Sequence, residues 1–241
     1  MKKRALITGA SGVLGTAITQ RLAKDFEVLV HSHKNIAKGN QLVKAIIDQG
    51  GSAHMLNFDL NDGKQVQTAL KPYQEENSAI QVLINNAGTH QDTPFAGMNK
   101  DQWQHVINTH LNGFYHVTRE IIMPMMRTRW GRVINISSAA SAGNRGQVNY
   151  SAAKAGLEGA TRSLALEVAS RGITVNAVSP GIIDSQMIEN AFPKEEIKRL
   201  VPMKRAGQPE EVAALVGFLC SEEASYISGQ TIGINGALLT S

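Results

Sequence analysis

Short apolar runs alternate along the chain with longer stretches in which apolar residues recur at helical spacing. Arg4–Thr8, Glu27–His31, Ala53–Phe58, Gln81–Asn85, Arg132–Ser137, Thr174–Ser179 and Thr231–Ile234 read as strands. Between them, Val13–Lys24, Asn35–Gln49, Lys64–Glu76, Lys100–Met126, Asn149–Ser170 and Pro209–Cys220 read as helices. Strands alternating with helices predict a doubly wound, Rossmann-type α/β domain, a parallel sheet with helices on both faces. The strands are apolar on both sides, as a covered sheet requires. No low-complexity linker or internal repeat interrupts the pattern, so residues 1–241 are read as one domain. The longest segment between core elements is Pro180–Gln208, within which Met187–Ala191 and Lys194–Leu200 look like short helices. Residues at about 184–208 are therefore expected to form a lid-like segment.

Composition narrows the function classes. At 42% hydrophobic, the chain has enough apolar material for a sizeable core. No apolar run reaches the roughly 18 residues of a membrane span. Ala5-Leu6-Ile7 is too short for a signal-peptide core, and Gly9 breaks it. A single cysteine, Cys220, excludes an intrachain disulfide and fits a reducing cytoplasm. Its place in an apolar helical pattern marks it as a buried structural thiol. The net charge of +4 suits a phosphorylated cofactor or an acidic partner, but the basic residues are too few and dispersed for nucleic acid.

The first strand runs into Thr8-Gly9-Ala10-Ser11-Gly12-Val13-Leu14-Gly15, which opens the first helix. Glycine permits the tight turn and lets a pyrophosphate approach the backbone, while the helix N-terminus supplies free N–H groups. Gly9, Ser11, Gly12, Leu14 and Gly15 are the expected contacts. The second strand ends His31-Ser32-His33-Lys34, with no acid to bind ribose hydroxyls and repel a 2′-phosphate. Lys34 and the imidazoles suit that phosphate, so the expected cofactor is NADPH.

Tyr150-Ser151-Ala152-Ala153-Lys154 opens a long helix, and a spacing of four places Tyr150 and Lys154 on one face. An ammonium beside a phenol lowers its pKa from about 10, making Tyr150 a candidate proton donor to a developing alkoxide. Ser138 follows an apolar strand, at the end where open parallel sheets bind ligands, and its hydroxyl can bond a substrate carbonyl.

Thr8–Gly15, Asn85-Asn86-Ala87-Gly88, Ser138, Tyr150-x3-Lys154 and Pro180-Gly181 stand in the order of the short-chain dehydrogenase/reductase family, which the chain resembles over nearly its whole length. The resemblance implies a seven-stranded parallel sheet and a homotetramer built through the long helices. It implies that Ser138 orients a carbonyl, Tyr150 is the acid, and Lys154 lowers its pKa and binds the nicotinamide ribose. Asp59 and Leu60 would hold the adenine, Asn86, Ala87 and Gly88 the middle of the cofactor, and Ile183 the carboxamide. Ser185 stands where the family often has threonine.

A closer likeness is to the bacterial 3-oxoacyl-acyl-carrier-protein reductases, and within them to the ketoreductases of aryl polyene clusters. It rests on Asn144–Gly156, Arg171–Asn176 and Pro202–Val212. In that group Arg129 and Arg171 match positions that dock the acidic carrier protein. Two positions depart from the family. Val13 replaces the usual glycine of the turn, with Gly12 where NADPH enzymes often carry a basic residue. His110 replaces the asparagine that helps hold a water beside the lysine. A neutral imidazole has the donor and acceptor for that relay, but an imidazole of ordinary pKa would charge below about pH 6.5.

The expected activity is therefore NADPH-dependent reduction of a 3-oxoacyl thioester carried on acyl carrier protein, in fatty acid or polyene chain elongation. The alternatives are a short-chain reductase of another small carbonyl or alcohol, or a catalytically weakened scaffold subunit.

Overall fold

The computed structural model describes residues 2–74, 79–185 and 193–240. Seven strands form one sheet: β1 (Arg4–Ile7), β2 (Glu27–His31), β3 (Ala53–Leu56), β4 (Ile80–Asn85), β5 (Gly131–Ile136), β6 (Ile173–Pro180) and β7 (Thr231–Ile234). Their order is β3-β2-β1-β4-β5-β6-β7, and every pairing is parallel. The order reverses between β1 and β4. The loops leaving these two strands part in opposite directions and open a crevice at their C-terminal ends.

Alternate residues of each strand face opposite layers. Ile7, Val30, Ile84 and Ile134 pack with Ile18 and Leu22 of α1 (Val13–Leu22) and Leu42 and Ile46 of α2 (Ile36–Asp48). Leu6, Leu29, Leu83 and Val133 pack on the other face with Val66 and Leu70 of α3 (Gly63–Leu70). Fully burying one such side chain contributes roughly 1.5–3 kcal/mol, so the two clusters fix the register of strands and helices together.

The remaining helices depart from expectation in instructive ways. Lys100–Met126 is not one α-helix: α4 (Lys100–Ile107) passes through a π turn, Asn108–Asn112, into α5 (Gly113–Thr128). Asn99 and Gln102 close a capping box at the start of α4. The π turn inserts one extra residue per turn and swings His110 towards the crevice. Lys64–Glu76 also shortens, because Pro72 ends the regular bonding and Lys71–Tyr73 tightens into a 3₁₀ turn; Glu76 lies outside the described residues. The long α6 (Val148–Val168) carries Tyr150 and Lys154. Within the expected lid, Lys194–Leu200 is helical (α7), whereas Met187–Ala191 lies outside the described residues. The last helix, α8 (Pro209–Leu219), is capped by Gln208 and Glu211 and packs on α1. Cys220 follows it, fully buried, and burial pushes its thiol up to about 12. Among the described residues, no helix is long and apolar enough to cross a membrane.

Candidate active site

The crevice is a cleft of about 910 Å³ along the C-terminal ends of the strands. Its floor at one end is the glycine turn. Gly9 sits at φ +63°, and a Cβ there would lie 2.8 Å from the Cα of Ala87 on the neighbouring loop. Gly15 has no room for a side chain against the Gly9 carbonyl. Gly12 caps α1 without any side-chain bond to its first amides, leaving them directed at the cleft. These are the features an extended, pyrophosphate-containing cofactor needs: a bare backbone, an open helix N-terminus and a groove long enough to hold it.

Asn86 locks the two sides of the crevice together. Its Nδ2 donates to the Thr8 and Gly9 carbonyls at 2.9 and 3.1 Å, and Thr8 Oγ1 accepts from the Asn86 and Ala87 amides at 3.0 Å each. The far end is lined by Ser11, Ser32, His33 and Lys34. Ser11 and Ser32 share a 2.8 Å hydroxyl hydrogen bond, and the exposed His33 has Asp59 3.9 Å away.

His31 corrects one expectation. The sequence predicts that its imidazole is offered to a 2′-phosphate, but the ring is 1% exposed and both nitrogens are already bonded. Burial holds its pKa down at about 4, so it is a neutral part of the wall.

At the other end the structure brings together Ser138, Tyr150, Lys154 and His110. Ser138 follows β5 in extended backbone, its hydroxyl accepts from the Ala140 amide at 3.2 Å, and it lies beside the Tyr150 phenol at the cleft. Lys154 is buried, and its Nζ donates to the Ile136 carbonyl at 2.6 Å. Burial lowers its pKa to about 7. The expected lowering of the Tyr150 pKa by Lys154 is not found in this arrangement. Burial pushes the phenol upward, the neighbouring Ser138 hydroxyl opposes this, and the Asp92 carboxylate adds to the rise. The ammonium lies 5.4 Å from the phenol ring centre and is itself partly neutral near pH 7.

His110 is buried, with its ring edge-on to Tyr150 at 5.3 Å. Its Nε2 lies 2.8 Å from the Thr89 carbonyl and 3.2 Å from the Thr89 amide. Burial first, and the charge of Lys154 second, depress its pKa to about 3. The ring is thus held neutral at working pH, unlike an imidazole of ordinary pKa.

Every candidate cofactor and catalytic residue, from the glycine turn to Ile183 and Ser185, lines this cleft; Arg129 and Arg171 do not. They are exposed, beside one another, at the N-terminal ends of β5 and β6, where Arg129 reaches the Ser170 carbonyl at 3.5 Å.

Two supporting features have roles that the sequence motifs do not reveal. Asn149, fully buried, accepts from the Tyr150 amide at 2.8 Å and donates to the Gln91 and Gln102 carbonyls, pinning the start of α6. Its signal is an amide residue directly before the tyrosine. Beneath the site, Asn85 bonds Thr118 of α5 and Asn135 of β5, and Asn135 bonds Thr161 of α6. This chain ties both long helices to the sheet.

Comparison with known proteins agrees with the geometry. Residues 9–238 match a family model described as enoyl-(acyl carrier protein) reductase. A 3-oxoacyl-[acyl-carrier-protein] reductase FabG from Aggregatibacter actinomycetemcomitans is 41% identical over 99% of this chain and 100% of its own. The Pseudomonas aeruginosa protein of that name is 39% identical over 99% and 98%, and nodulation protein G of Azospirillum brasilense 40% over 98% of each. The chain belongs to the short-chain dehydrogenase/reductase family.

Proposed function

We propose that the protein reduces 3-oxoacyl thioesters carried on acyl carrier protein to the 3-hydroxyacyl products, with NADPH, in fatty acid or polyene chain elongation. The observation that carries this reading is the grouping of Ser138 and Tyr150 with buried Lys154 at the end of a dinucleotide-sized cleft. A bound nicotinamide supplies the hydride for the ketone carbon. Tyr150 protonates the oxygen as negative charge develops on it, and Ser138 donates a second hydrogen bond to the same atom. The raised pKa of Tyr150 suits this direction, because the phenol stays in its acid form at neutral pH. His110, neutral and bonded to Thr89, takes the place of the family's asparagine. The deciding assay follows NADPH oxidation with carrier-bound 3-oxoacyl chains of graded length, polyenoyl chains included, beside 2-enoyl thioesters. Turnover confined to the enoyl substrates would overturn the reading.

The preference for NADPH rests on Ser11, Ser32, His33 and Lys34 around the far end of the cleft. His33→Asp puts a carboxylate beside Asp59 and against the 2′-phosphate. It is expected to flatten or reverse the ratio of NADPH to NADH affinity, measured by titration of each. Equal affinities in the unmodified protein would sink the preference.

Arg129 and Arg171 form the proposed docking point for the acidic carrier. Reversing both to Glu is expected to raise KM for the carrier-bound substrate several-fold, while KM for a small cysteamine thioester changes far less. Added salt should shrink that difference. Parallel losses on both substrates would instead indicate damage to the fold. We further propose a cytoplasmic homotetramer assembled through α5 and α6, on which Tyr115, Met123 and Leu166 stand exposed.

A further inference from the structure

We propose that His31 is a positioning residue that holds the adenosine end of the cleft in shape, without itself touching the cofactor's phosphate. This rests on the reading of the cleft as a dinucleotide site. The last residue of β2 stands between the two loops that form that end. On one side, the Gly9 amide donates to His31 Nδ1 at 3.2 Å, and the next amide, Ala10, donates to the His31 carbonyl at 2.8 Å. Side chain and backbone of one residue thus hold the glycine turn at its left-handed corner. On the other side, His31 Nε2 bonds the Phe58 carbonyl at 2.9 Å, and the imidazole stacks on the Phe58 ring with centroids 4.0 Å apart. Phe58 leads directly into Asp59 and Leu60, which line the cleft. A second histidine braces the same loop from behind, since His116 Nδ1 lies 2.8 Å from the Leu60 carbonyl.

The two bonds determine the chemical form of the ring. An amide N–H aimed at Nδ1 requires a lone pair there, so the proton sits on Nε2 and is donated to Phe58. An imidazolium would set two N–H groups against each other at Gly9. The titratable groups facing the ring are His33 and Asp59, whose effects on it oppose one another. The neutral Nε2–H form is therefore the one that supports the pocket, and a charge contact with a 2′-phosphate belongs to His33 and Lys34 instead.

The test measures dinucleotide binding to the cofactor-free protein by calorimetry. His31→Phe keeps the ring and its stacking but removes both side-chain bonds, and is expected to weaken NADPH and NADH alike, by about tenfold for two neutral hydrogen bonds. The ratio of the two affinities should stay within about twofold. His31→Gln, which retains an acceptor and a donor, should recover most of the loss. A selective loss for NADPH would mean that the ring faces the phosphate and would overturn the proposal. So would unchanged affinity in folded His31→Phe. An unmodified protein that binds neither dinucleotide would instead refute the cofactor reading itself. Nitrogen-15 NMR of the unmodified protein gives a measurement independent of any variant: His31 should be neutral and protonated on Nε2, with and without NADPH. An imidazolium signal on adding NADPH would contradict the assignment.

Discussion

Tyr150→Phe is expected to lower turnover by about 10²–10⁴-fold, the usual contribution of a positioned general acid. The phenol faces the cleft beside Ser138, where the carbonyl oxygen would lie. The Phe ring fills the same volume, and Asn149 continues to hold the helix start through the residue-150 amide, so the fold and cofactor affinity should remain nearly intact. The loss should therefore fall on kcat, with NADPH titration and thermal unfolding close to those of the unmodified protein. Retention of more than half the turnover would remove Tyr150 from the proposed mechanism.

The order of elements and the cleft were legible in the sequence because both rest on local rules. Strands such as Val28–Val30 and Val82–Ile84 are apolar on both faces, and the glycine turn needs its residues for reasons of backbone shape alone. What was not legible depends on which way a side chain turns after folding. The sequence of Lys100–Met126 shows one uninterrupted helical period, yet His110 gains a bond to Thr89 through a π turn that no periodicity marks. His31 beside Ser32, His33 and Lys34 reads as one more basic residue at a phosphate site. Strand alternation instead points it into the interior, where desolvation keeps it neutral. Asn85 and Asn135 interrupt runs that look wholly apolar. They are tolerated because they sit opposite one another in the β4–β5 register and bond each other and the threonines of the overlying helices.

Lys154→Met is expected to separate stability from activity. The lysine is buried, and burial moves its pKa from 10.5 to about 7. The ordinary pKa describes the unfolded chain, which therefore binds more protons than the native state between about pH 7 and pH 10.5. The stability of the unmodified, cofactor-free protein should accordingly rise with pH through that window. Below about pH 7 the full cost of burying the ammonium is present, and above about pH 10.5 it is gone. Methionine has nearly the same length and carries no charge, so it removes this cost while leaving the Ile136 carbonyl without its Nζ partner. The balance is expected to favour the variant by roughly 1–3 kcal/mol near neutral pH, a rise in Tm of about 2–4 °C for each kcal/mol. This advantage should shrink steadily towards pH 10. Turnover should fall on the order of 10²-fold or more, as for other losses of a charged group beside reacting atoms. Thermal unfolding of both proteins without cofactor, across pH 6–10, gives the comparison directly. A variant less stable than the unmodified protein at every pH would show that the bond to Ile136 outweighs the cost of burial.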